Sequence, residues 1–174
     1  MMKTSIAALA LTLLTASAPI AAEQRGPVDK GPGTLAAARK YLEGRWDLQT
    51  YDIMPPGQAT IHLTKQTGKG TLVYDDFGNL EMDIKVDEPT AKLLAAAGIQ
   101  TKNGSLYSKG KTAVDLQGKT LRFILDGQPP AGAPSGPIAL NKLRHWEVDG
   151  NMLTLTTKDD AGKVVSVGKW QKMP

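Results

Sequence analysis

Cysteine is absent from this chain of 174 residues. No disulfide can form, no thiolate can act as nucleophile, and no zinc site can use cysteine ligands. Lipid attachment at a lipobox cysteine is excluded as well. Aromatic side chains are scarce, with two Phe, four Tyr and three Trp. A flat aromatic ligand would find few stacking partners. Imidazole comes only from His62 and His145. Neither has companion ligands at metal-binding spacing, so no metal site is expected. The chain also lacks a Gly-x-Ser-x-Gly elbow, a phosphate loop and a dinucleotide fingerprint. Beyond the N-terminus no apolar run approaches the roughly 20 residues a membrane-spanning helix needs.

The N-terminus has a recognisable layout. A short basic start, Met1 to Lys3, precedes an apolar stretch from Ser5 to Leu14 and then small residues, "TASAPIAA". This is the pattern of a secretory signal peptide, with cleavage expected after Ala22. The expected divisions are a signal over residues 1–22, a flexible Gly- and Pro-rich leader over 23–33, and one folded domain over 34–174. The expected location is the periplasm or the cell exterior, without stable membrane insertion. The formal charge is +4, and lysines alternate with acids rather than forming a basic run. Nucleic-acid binding is not expected from such a distribution.

The folded part reads as mainly β. Thr34 can cap a short helix, "LAAARKYLE", that Gly44 would end. Strands are expected at "RWDLQTYDI", "ATIHLTK", "GTLVYD" and "LEMDIKV". In the last of these Leu80, Met82, Ile84 and Val86 share one face and Glu81, Asp83 and Lys85 the other. A period of two means one buried and one solvated face. A helix over "PTAKLLAAAG", with Pro89 near its start and Gly98 at its end, interrupts the strands. Its expected place is over one end of the sheet. Strands resume at "SLYSKGKTAVD" and "TLRFIL". A Pro-rich loop from Asp126 to Pro137 follows, then "IALNKLRHWEV", "NMLTLTT" and "VVSVGKWQKM". Asp149-Gly150 marks a hairpin between two of these. Eight or nine short strands joined by tight turns favour an antiparallel up-and-down barrel, because closure removes exposed edges.

At "LEGRWDL" the chain begins to resemble the lipocalins and their calycin relatives. Gly44 and Trp46 form a Gly-x-Trp at the start of the first strand, behind a short helix. Gly70, Leu72, Tyr74 and Gly78 follow the Gly-x-Leu-x-Tyr strand and Gly turn of bacterial lipocalin-like domain proteins. Arg144 before the Leu153–Leu155 hairpin, and Trp170 with Lys172 near the C-terminus, complete the likeness over roughly residues 42–173. The inserted helix and the long Pro-rich loop depart from the plain eight-stranded meander. The resemblance implies an all-β, lipocalin-like barrel. It also implies that Trp46 plugs one barrel end, with Arg144 across its ring; Lys169 and Arg122 are the alternatives. Trp146 and Trp170 are expected in the core or at its rim.

Several polar groups have a chemical and a structural reading. Asp75 with Asp76, and Asp159 with Asp160, are adjacent carboxylates, but neighbours on a strand point to opposite faces; turn chemistry is the better reading. Gly68-Lys69-Gly70 has residue types suited to a phosphate but is too short to cradle one. By alternation His145 shares a face with Leu143 and lies opposite Arg144 and Trp146; a haem-ligating role is the less favoured reading. The leading functional expectation is non-catalytic binding of an apolar or amphipathic small molecule, such as a lipid, inside the barrel. Parity places Leu48, Leu72, Tyr74, Met82, Ile84, Phe123 and Leu155 on the inward face as lining residues. No catalytic residue and no cofactor are expected. The alternatives are a filled barrel serving as an envelope interaction module through its surface, and a calycin-type isomerase or cyclase.

Overall fold

The computed structural model describes residues 35–125 and 133–174. The expected signal and leader, the Thr34 cap and most of the Pro-rich loop lie outside these residues. Nine strands form one antiparallel sheet: β1 (Gly44–Ile53), β2 (Ile61–Thr64), β3 (Gly68–Tyr74), β4 (Asn79–Val86), β5 (Ser105–Asp115), β6 (Thr120–Phe123), β7 (Arg144–Asp149), β8 (Met152–Lys158) and β9 (Val164–Lys172). Helix α1 (Leu35–Leu42) precedes them and α2 (Glu88–Ala96) joins β4 to β5. β1 pairs with β9 on one side and with β2 and β3 on the other, which closes the sheet. The result is an eight-stranded antiparallel barrel with β2 as an extra strand.

β2 and β3 lie along the same edge of β1. Thr50–Ile53 pair with Ile61–Thr64, while Gly44–Asp47 pair with Thr71–Tyr74. Two residues of β1 between these ladders face six of the returning chain, so the wall opens between Thr64 and Thr71. β1 also bulges between Leu48 and Thr50 against β9. The bulge preserves inward pointing on both sides: Trp46 and Leu48 before it, Tyr51 and Ile53 after it, are all buried. A second register shift, at Thr157/Lys158 against β9, leaves neighbouring Val165 and Ser166 both buried, whereas β4 buries Leu80, Met82 and Ile84 as period two demands.

The two barrel ends differ. Around Trp46 lie α1, the β3–β4, β5–β6 and β7–β8 turns and the C-terminus. The longer connections gather at the other end. There α2, capped by the Asp87 carboxylate accepting from the Thr90 N–H, buries Thr90 and Leu94 and packs against β2. It therefore lies beside β2, whose only ladder is with β1. Residues 138–143, expected as strand, instead make a 3-10 turn (Gly136–Ile138) and an irregular stretch; β7 starts only at Arg144. Pro137 and the Gly136 φ of 62° suit a turn rather than a ladder. Gly168 is where β9 meets the interior aromatics. A methyl group there would lie 2.6 Å from Tyr51 Cδ2 and 2.8 Å from Trp170 Nε1.

Candidate functional site

The barrel interior brings together all seven expected lining residues. Leu48, Leu72, Tyr74 and Ile84 keep at most 1 % of their surface and belong to tight core. Met82, Phe123 and Leu155 keep 5–6 %, slightly more than the other four. Their inward orientation follows from strand parity.

Trp46 is fully buried at the α1 end, and its Nε1 donates to the Leu42 carbonyl at 2.9 Å. The Gly44 φ of 127° explains the glycine, since the chain leaves α1 and enters β1 through a conformation L side chains avoid. The expected Arg144–Trp46 partnership is not found. Antiparallel register aligns Arg144 with Thr157, Thr157 with Ser166 and Ser166 with Ile53, at the opposite end of β1 from Trp46. Lys172, the β9 partner of Trp46, covers the indole instead, 5.2 Å from its centroid. The alternatives Lys169 and Arg122 are exposed.

Arg144 has a different structural task. Its buried guanidinium donates to the carbonyls of Ile138, Ala139, Leu140 and Lys142 at 2.8–3.3 Å. It also stacks 5.3 Å from the Phe123 ring centroid. One planar fork thus holds the irregular connection shut over the barrel. Burial pushes the Arg144 pKa down, opposed by the nearby Tyr51. Burial likewise pushes the Tyr51 phenol up, partly offset by the Arg144 charge and by Ser166.

Sequence reasoning missed the unpaired polar atoms. Among the described residues Ser108 Oγ, Trp146 Nε1, Ser166 Oγ and Trp170 Nε1 are buried on inward-facing positions without hydrogen-bond geometry to any partner. Two of these have local company. Ser166 lies beside the Tyr51 phenol, and the Trp170 indole sits against the Tyr51 ring with centroids 6.4 Å apart. Ser108 Oγ and Trp146 Nε1 have neither. No spacing in the sequence could reveal them, because a Ser or Trp is orphaned only by its tertiary surroundings.

The remaining polar residues have local tasks. Asp75 accepts from the backbone N–H of Phe77 and Asn79 and from Asn79 Nδ2, which closes the β3–β4 turn. Asp159 does the same for Ala161 and Lys163. His145 points outward, and His62 is exposed beside Asp52. Neither imidazole faces the interior. Among the described residues no group of acids and histidines is placed to hold a metal, and no helix is long and apolar enough to cross a membrane. No protein-family model matches the chain, and no curated protein matches it at a significant level.

Proposed function

We propose that this chain is an exported, lipocalin-like barrel that binds an amphipathic small molecule inside and catalyses no reaction. The observation that carries this reading is the pair of orphaned interior donors, Ser108 Oγ and Trp146 Nε1. A buried donor without a partner costs about 1–3 kcal/mol. The polar group of a ligand that reaches them as the covering side chains shift would recover that cost. The apolar remainder of the ligand would lie against Met82, Phe123 and Leu155, the lining positions that keep some accessible surface. Met82 adds a side chain that adapts to varied shapes. The absence of an inward-facing imidazole and the local roles of Asp75 and Asp159 count against acid–base chemistry.

The test is titration of the folded protein with cis-parinaric acid, followed by fluorescence. Saturable binding, weakened in Ser108→Ala and Trp146→Phe, is the expected result. No binding would favour the second reading, a filled barrel acting through its surface. The tight packing of Leu48, Leu72, Tyr74 and Ile84 favours that reading.

A further inference from the structure

The outer wall carries a feature independent of the interior. Two open depressions, of about 530 Å³ and 380 Å³, lie side by side and share Asp83 and Lys85. Both volumes fall in the range of small-molecule sites, roughly 300–1,000 Å³. Their origin is in the sequence Gly68-Lys69-Gly70. A methyl group on Gly70 would come 2.9 Å from Ile84 Cγ1 and 3.2 Å from Leu48 Cβ; one on Gly68 would come 3.3 Å from the Lys85 carbonyl oxygen. The two glycines therefore let β3 sink toward the core where its ladder with β1 breaks, and the outside is dented there.

The charges along this groove are unusual for an antiparallel pair. Lys69 and Lys85 are direct cross-strand partners, an arrangement that is destabilising for like charges. Nearby sheet positions solve this problem: Lys109 bridges Glu81 at 2.8 Å, and Lys65 bridges Asp47 at 3.2 Å. Among the described residues Lys69, Lys85 and Lys102 have no carboxylate within ion-pair distance. In the next row Asp83 lies between Thr71 and Tyr107. Its Oδ1 is buried on the groove wall and accepts no hydrogen bond. That atom is closed to a ligand, so what the groove offers is its line of uncompensated cations.

We infer that this groove binds a linear polyanion, of the class of acidic saccharides. Acid groups would meet Lys69, Lys85 and Lys102. A chain of acid groups would engage the lysines of both depressions at once, which a single phosphate cannot do. The open, elongated shape across β3, β4 and β5 suits a linear chain of sugars.

The experiment is a titration of the folded protein with hexagalacturonate, followed by amide chemical shifts, with maltohexaose and inorganic phosphate as controls. Shifts confined to β3, β4 and the start of β5 are expected. Lys69→Ala/Lys85→Ala should weaken binding by about tenfold or more, each tenfold being about 1.4 kcal/mol. Lys102→Ala, in the adjoining depression, should weaken hexagalacturonate as well. The proposal fails if hexagalacturonate gives no shifts, if maltohexaose binds as well, if phosphate binds as tightly at the same amides, or if the double variant binds unchanged. The double variant should fold, because it relieves a repulsion, and its unaltered amide spectrum elsewhere verifies this. Interior binding of cis-parinaric acid should be the same in both variants, so the two sites fail or succeed separately.

Discussion

Trp46 Nε1 donates to the Leu42 carbonyl at 2.9 Å, so the last residue of α1 is fastened to the third residue of β1. Both residues are almost fully buried. The bond fixes the helix over one barrel end and satisfies the buried indole N–H. Trp46→Phe should destabilise the protein by about 1–3 kcal/mol, the cost of leaving a buried carbonyl unmet. Trp46→Ala should cost about 3–5 kcal/mol, because a cavity is added. Urea unfolding of both variants checks the ordering.

Arg144 makes an equally specific prediction at the other end. Its fork serves four carbonyls of one connection. Arg144→Met keeps the stem packing but strands these acceptors, and should cost about 3 kcal/mol or more. Arg144→Lys should recover only part of this, since an ammonium cannot reproduce the planar geometry. Hydrogen exchange at residues 138–142 should accelerate in both variants.

The β3–β4 turn predicts a pH dependence. Hydrogen bonds from the Asn79 side chain and backbone hold the Asp75 carboxyl below its ordinary range. Asp87 is held down in the same way by Thr90. A folded-state pKa below the unfolded value stabilises the fold above the unfolded carboxylate pKa, about 3.9. That contribution is lost as pH falls through the folded value. Thermal unfolding as a function of pH should show a steep acid limb below about pH 4. Asp75→Asn should flatten it. An unchanged limb would remove the assigned role.

Much of the architecture was legible in the sequence because it is written in local rules. The alternation of Leu80, Met82 and Ile84 states which face of β4 is buried. Asp149-Gly150 states a hairpin, and Gly150 has the positive φ, 55°, that such a turn uses. Helix α2 sits between its Asp87 cap and Gly98, at φ 73°. The features that escaped depend on which strands end up opposite each other. The split pairing of β1 with β2 and β3 is set by six residues facing two, and no local pattern records that. The exchange of Arg144 for Lys172 over Trp46 is a matter of register at the far side of the barrel. The opposition of Lys69 and Lys85 was hidden for the same reason.

The orphaned interior groups predict an asymmetry between stability and binding. Ser108→Ala removes a buried hydroxyl that has no partner. Without ligand the variant should be as stable as the parent or more so, by up to about 1 kcal/mol. Thermal unfolding with and without cis-parinaric acid separates the two effects. A ligand-free loss of several kcal/mol would show that the hydroxyl is already satisfied within the fold.

The central claim is that the barrel interior holds a small amphipathic molecule. Native mass spectrometry of the protein, purified without denaturation, addresses it directly when paired with organic extraction of the same sample. The account predicts a bound mass that disappears on extraction and is diminished in Trp146→Phe. A bare chain mass, with no extractable compound and no uptake of added amphiphile, would contradict it.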